Sequence, residues 1–179
     1  MSEMSASAEA FVEVYDEHVW DVYGFFGYRL SSRDEVEDLV QGTFERALKA
    51  WGRFDPQRAS ARTWLLAIAQ NLLIDHFSRS GRTKEEPLPE GELADLKLGA
   101  AAAPDERLGL APDLESALAE LNERERELIA LRFGGDLSGP EIAELTGLSL
   151  ANVQQILSRS LRRMRASLEA DQPARVSSD

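Results

Sequence analysis

Between residues 138 and 164 the chain reads SGPEIAELTGLSLANVQQILSRSLRRM, a stretch that leaves little choice of fold. Ser138 stands three residues before Glu141, the pairing in which a hydroxyl and a carboxylate satisfy each other's backbone donors at a helix start. Pro140 falls in the first turn, where a missing N–H is tolerated. Ile142, Ala143 and Leu145 keep one apolar side, and Gly147 stops the helix. Ser149 opens a second, longer helix, with Val153, Ile156 and Leu157 facing the first across Leu148. The spacing predicts helix, tight turn, helix. The second helix is basic, carrying Arg159, Arg162, Arg163 and Arg165, with no acid from Ser149 to Arg165.

Such a unit seats one helix in the DNA major groove. Asn152, Gln154 and Gln155 carry amides suited to base edges, and the arginines suit phosphates or guanine. The plainer alternative is a helical hairpin with a solvated basic face. The coincidence of caps, turn and basic helix favours DNA.

A basic helix is unexpected in a chain of net charge -12. The charge is uneven. Residues 1–57 carry -7, residues 58–84 carry +4, residues 85–123 carry -9, residues 124–170 carry +1 and the last nine carry -1. Net acidity disfavours indiscriminate nucleic-acid binding but leaves two local basic surfaces. The absence of cysteine excludes a disulfide framework and thiolate metal sites. The opening MSEMSASAEAFVEV has neither a basic leader nor an apolar core of a signal peptide, and no apolar run approaches the roughly 20 residues of a membrane span. A cytoplasmic protein without membrane insertion is expected.

The remaining elements also read as helices. Phe11, Val14, Tyr15, His18, Val19, Val22, Tyr23 and Phe26 recur at three and four, an amphipathic stripe. Ser32, with Glu35 three residues on, opens a second helix whose buried face is Val36, Leu39, Val40, Thr43, Phe44, Leu48 and Trp51. WGRFDPQRAS is a loop. A third helix follows, with Trp64, Leu65, Ile68, Leu72 and Phe77 apolar. Twelve of the thirteen aromatics lie at or before Phe77, so this half is expected to hold its own core. Residues 84 to about 112, rich in Pro, Gly, Ala and acid, read as a flexible linker with room for short helical turns near Leu93 to Leu98. Asn122 and Glu125 then open another capped helix. The whole is an all-α protein of two small helical domains.

Two further surfaces carry chemistry. Asp38, Gln41 and Glu45 share one stripe of the second helix, which is either a solvated face or an attraction for a basic protein surface. Arg58, Arg62, Arg79, Arg82 and Lys84 flank an aromatic-bearing helix, a pattern suited to single-stranded nucleic acid, although Trp64 reads first as a core residue. His18 and His76 lack metal-ligand spacing, and no phosphate loop or nucleophile motif is present, so neither a catalytic residue, a cofactor nor a metal is expected.

In order, DEVEDLVQGTFERALKAW, TWLLAIAQNLLIDHFSR and LNERERELIALRFGGDLSGPEIAELTGLSLANVQQILSRSLRRMR resemble the bacterial sigma-70 family of RNA polymerase sigma factors. The resemblance is to the extracytoplasmic-function (ECF) group, which has only regions 2 and 4. It implies region 2 over 1–83, a linker over 84–112, region 4 over 113–170 and a tail over 171–179. It implies a non-catalytic specificity subunit that directs core RNA polymerase to -10 and -35 promoter elements. Its polymerase contacts would be the clamp helices of the largest subunit, through Glu37, Asp38, Gln41 and Glu45, and the flap of the second-largest subunit, through region 4. The -10 element would meet Phe54, Arg58, Arg62, Trp64, Asn71, Arg79 and Arg82. The -35 element would meet Asn152, Gln154, Gln155, Ser158, Arg159, Arg162 and Arg163. An anti-sigma factor is implied as a further partner. The alternatives are a sigma mimic that titrates an anti-sigma factor, and a helix-turn-helix repressor. The chain departs from the family pattern at Gly42, where glutamate is common, and at Gln154, Ile156 and Leu161, where basic residues are common.

Overall fold

A computed structural model describes residues 2–81 and 110–170, and it is helical throughout these residues apart from turns. Of the expected linker over 84–112, residues 84–109, with the turns expected near Leu93 to Leu98, lie outside the described residues, as do Arg82 and the tail, and residues 110–112 lead into α4. Three helices form the first half: α1 (Ser2–Gly27), α2 (Arg33–Ala50) and α3 (Ala61–Arg79), with a short 3-10 turn over Trp51–Arg53. Four form the second: α4 (Pro112–Ala119), α5 (Glu123–Ile129), α6 (Gly139–Thr146) and α7 (Leu150–Ala170), with a π turn over Ala130–Gly134 that prolongs α5.

The starts are set by the caps read from sequence. Ser32 accepts from the Glu35 amide, and Ser60, unrecognised in the sequence, does the same for Thr63 at the head of α3. Asn122 with Glu125, and Ser138 with Glu141, form complete reciprocal boxes. Each such cap supplies about 1 kcal/mol by satisfying donors that a helix start leaves open.

Packing refines the expected faces. In α1, Phe25 is fully buried beside Val22 and Phe26, whereas Tyr15 is 41% exposed. In α2, Leu48 was expected inside and is instead 57% exposed, while Ala47 is fully buried. Positions 36, 40, 43 and 47 fall under one another on the core side, and residue 48 lies one step of 100° beyond them. In α3 the buried positions are Thr63, Leu65, Leu66, Ala69 and Leu73, with Trp64, Ile68, Leu72 and Phe77 half-buried around them.

The expectation of a separate core for the first half also changes. One contiguous cluster runs from Phe11, Phe26, Val40 and Leu66 into Leu128, Leu131, Leu137, Ile142 and Val153 of the second half. A smaller cluster of Ala117, Leu118, Leu121, Ile129 and Met164 ties α4 and α5 to α7. The halves meet where α1 passes the π turn. A Cβ on Gly24 would lie 2.4 Å from the carbonyl oxygen of Gly134, and a Cβ on Gly134 would lie 2.5 Å from that of Gly24. Only glycine at both positions permits so close an approach.

Candidate nucleic-acid interface

The helix-turn-helix is built as its sequence predicts. Gly147 ends α6 with φ 73°, a left-handed conformation natural to glycine. Ser149 accepts from the Asn152 amide at 3.2 Å and starts α7. Ile142 and Val153, both fully buried, fix the two helices together. This leaves Asn152, Gln154, Gln155, Ser158, Arg159 and Arg162 exposed along α7. Arg162 Nε donates to the Ser158 carbonyl at 3.2 Å, which holds its stem along the helix.

Arg163 differs from its neighbours. Its guanidinium donates to Glu125 Oε2 at 2.7 Å. Glu125 is buried and also accepts from the Asn122 amide at 3.1 Å. A buried carboxylate needs such a partner, so Arg163 ties α7 to the head of α5. Ile156 is half-buried against the core, which explains its apolar character: this position faces inward. Leu161 is 43% exposed, and nothing in the fold explains it.

The second surface surrounds α3. In the loop before it, Phe54 stacks on Trp51 at 5.2 Å between ring centres and lies 4.9 Å from Trp64, while Phe11 meets Trp51 edge-on at 5.3 Å. Trp51 Nε1 donates to the Ser7 carbonyl at 3.1 Å. Trp64 is therefore one wall of an aromatic cluster open to solvent on one side. Arg58 and Asn71 are exposed, as is Arg79 at the end of α3. Ile74, 56% exposed, continues the face of Asn71 one turn on. Arg62 is engaged. Its Nε donates to Asp21 at 2.9 Å, and its Nη1 reaches both the carboxylate of Asp136 and the Asp136 carbonyl at 3.2 Å.

The third surface is acidic. Glu37, Asp38, Gln41 and Glu45 are all exposed on α2. Gln41 donates to Glu45 at 2.8 Å, and Arg33 donates to Glu37 at 2.7 Å. Leu48, in register after Asp38, Gln41 and Glu45, gives the stripe an apolar end. A large exposed leucine beside an acidic row suits a protein partner better than plain solvation. Continuing the three-and-four spacing past Glu45 would have found it; placing Leu48 in the core concealed it.

Among the described residues, no group of three His, Cys, Asp or Glu side chains is placed to hold a metal ion. No helix there is long and apolar enough to cross a membrane.

Comparison with known proteins agrees with this arrangement. Residues 14–83 match the family model for Sigma-70 region 2, and residues 117–166 match that for Sigma-70, region 4. The chain is 33% identical over 170 residues to the ECF RNA polymerase sigma factor BldN of Streptomyces coelicolor, covering 93% of this chain but 63% of that protein. It is 32% identical over 159 residues to the ECF RNA polymerase sigma factor RpoE of Cereibacter sphaeroides, covering 87% of this chain and 84% of that one. Among solved structures it resembles CnrH in complex with the cytosolic domain of CnrY, with a TM-score of 0.67 and 26% identity over 94% of this chain and 95% of that one. A chain with both regions in order, a helix-turn-helix with its polar face free and relatives of this kind belongs to the sigma-70 family, in the ECF group of RNA polymerase sigma factors.

Proposed function

We propose that the chain acts as an alternative sigma factor whose two halves divide the work of promoter recognition. Region 2, through residues 1–83, binds core RNA polymerase by the stripe of Glu37, Asp38, Gln41 and Glu45. It captures the -10 strand with the Phe54–Arg62 loop, Trp64, Asn71 and Arg79. Region 4, through residues 113–170, reads the -35 element with Asn152, Gln154, Gln155, Ser158, Arg159, Arg162 and Arg163. It supplies no reacting group: it is a specificity subunit acting with polymerase in the cytoplasm. An anti-sigma factor would oppose it.

The observation that carries this reading is the free polar face of α7 behind an intact helix-turn-helix, in the same chain as an exposed acidic stripe ending at Leu48. A basic reading face and an acidic docking face have little use together in a simple repressor. The net acidity also fits, since DNA affinity would come only with the enzyme.

Run-off transcription tests it. DNA selected by core polymerase reconstituted with this chain should support initiation that core enzyme alone does not. Asp38→Ala combined with Gln41→Ala should weaken capture of core enzyme and leave the thermal transition of the free chain unchanged, because both side chains face solvent. Absence of chain-dependent transcripts would overturn the assignment, and wild-type capture by the double variant would overturn the docking stripe.

A further inference from the structure

The outward face of α3 is unlike that of its neighbour. On α2 every exposed residue except Gln41 and Leu48 is charged. On α3 the exposed residues are Asn71, Ile74 and Ser78, with Arg79 at the last position. Ala67, Asn71, Ile74 and Ser78 fall three and four apart, so they form one stripe, and it carries no charge. Ile74, within that stripe, is 56% exposed. A β-branched side chain in water gives a helix nothing that alanine or lysine would not give better. An uncharged face is easily stripped of water, whereas a charged one resists desolvation.

Cations stand around the stripe. Arg58 is exposed in the loop that leads into α3, and Arg79 is exposed at the far end. Asp75, the single acid of α3, is taken by Arg46 of α2, whose Nη1 and Nη2 donate to it at 3.4 Å and 3.3 Å. Ser78 donates its hydroxyl to the Ile74 carbonyl at 2.9 Å, so that donor is turned inward. The Asn71 side chain has no partner among the described residues. What faces outward is one free amide and one apolar side chain on a neutral strip, with positive charge at its rim. Leu48 makes the contrast. It ends an acidic row, which repels phosphate and suits a protein.

The spacing fits a nucleic-acid strand. Ile74 lies three residues beyond Asn71, about 4.5 Å along the helix axis and about 60° around it. Bases of one strand follow one another at about 3.4 Å when stacked. With one unpaired base at Asn71, the adjoining base comes to Ile74. An isoleucine side chain forms no hydrogen bond. Among the four bases, thymine alone offers a methyl group for it to cover.

We propose that Ile74 is a specificity-determining residue of the -10 contact, covering the methyl of a thymine next to the base held at Asn71. The proposal deepens the sigma-factor reading and rests on it for the identity of the strand.

The test uses holoenzyme reconstituted from core polymerase and the full-length chain. The probe is a forked duplex of a selected promoter whose non-template -10 strand is unpaired. Each thymine of that strand is replaced in turn by deoxyuridine, which removes the methyl alone. One replacement should weaken wild-type binding about fourfold, the effect of one buried carbon. The same replacement should change nothing in Ile74→Ala, which binds the thymine fork more weakly from the start. Ile74→Val should keep most of the discrimination. Alanine favours a helix, so Ile74→Ala folds and should capture core enzyme as wild type does. Abasic residues placed along the strand find the position that Asn71→Ala no longer feels, and the Ile74-dependent thymine should adjoin it. No methyl-sensitive thymine, a methyl effect that survives in Ile74→Ala, or one more than a nucleotide from the Asn71 position would each overturn the proposal. So would lost capture of core enzyme by Ile74→Ala, which would place a protein on this face. Wild-type holoenzyme that opens no selected promoter would instead remove the sigma-factor reading, and the strand with it, before any variant is compared.

Discussion

Residues 2–81 contain twelve of the thirteen aromatic rings, while residues 110–170 contain only Phe133, which is 48% exposed. The first half uses three helices of 26, 18 and 19 residues. In the second half, α4, α5 and α6 have 8, 7 and 8 residues, shorter than the roughly 12–15 a helix needs to persist alone. Region 2 is therefore held by bulk in its core. Region 4 is held by its ends: two complete capping boxes, the Arg163–Glu125 pair, and Arg126, whose guanidinium donates to the carbonyls of Leu118 at 3.2 Å and Leu121 at 3.3 Å. Burial lowers the pKa of Arg126, and the nearby Glu123 carboxylate opposes part of that shift. The division suits the tasks. A platform that receives an unpaired strand benefits from rigidity, and a small reading head can be specified by local signals.

The sharpest way to break this comparison is to damage each half by its own means. Phe26→Ala removes a fully buried ring and should lower stability by about 3–5 kcal/mol, read by urea unfolding. An effect below about 2 kcal/mol would mean that bulk is not what holds region 2. On the reading head, Gln155→Ala should change the preferred -35 sequence by about 1–3 kcal/mol at one base pair, measured on a panel of -35 substitutions with reconstituted holoenzyme. A uniform loss over the panel would contradict base reading.

Ser138→Ala should cost about 1 kcal/mol by opening the box at the head of α6, seen as a lower melting temperature. The same box sets a pH dependence. The Ser138 side-chain hydrogen bond, ahead of all other causes, holds the Glu141 carboxyl below its ordinary value. A depressed native pKa means that the stabilisation is complete above the unfolded value and fades as pH falls through the native one. Melting temperature should therefore decline on acidification below the usual carboxylate range, and by less in Ser138→Ala.

The smallest effect is a gain. Gly42 lies inside α2, and a Cβ there would sit 3.7 Å from Leu72 Cδ1, at ordinary contact distance. Gly42→Ala should stabilise region 2 by up to about 1 kcal/mol, because nothing obstructs the methyl and the helix interior favours it. A loss of stability in thermal unfolding would show that the glycine is needed where it stands.

Helix boundaries were legible in the sequence because their signals are local: Ser32, Asn122, Ser138 and Gly147 act on residues within one turn. The exposed faces of α2 and α7 followed from spacing. The pairing of Arg163 with Glu125 was not legible, because the two stand 38 residues apart and the partner carries no periodic mark. The join between the halves was invisible for the same reason. Gly24 and Gly134 have no side chains to contribute to a pattern, and Arg62 meets Asp136 across 74 residues. Short-range chemistry predicted the parts, and their assembly depended on backbone proximity that composition does not encode.

The aromatic cluster of Phe11, Trp51, Phe54 and Trp64 has an optical consequence. Trp51 and Trp64 hold their ring centres 6.1 Å apart at 54°, close enough for their excited states to couple. Trp20, 73% exposed, stands outside that cluster. The near-ultraviolet dichroism and emission of the chain thus divide into a solvent-facing background from α1 and a coupled signal from the loop that precedes α3. Any ligand that parts Phe54 from Trp64 to insert a base must disturb the second and leave the first, so strand capture writes its own spectrum without a label.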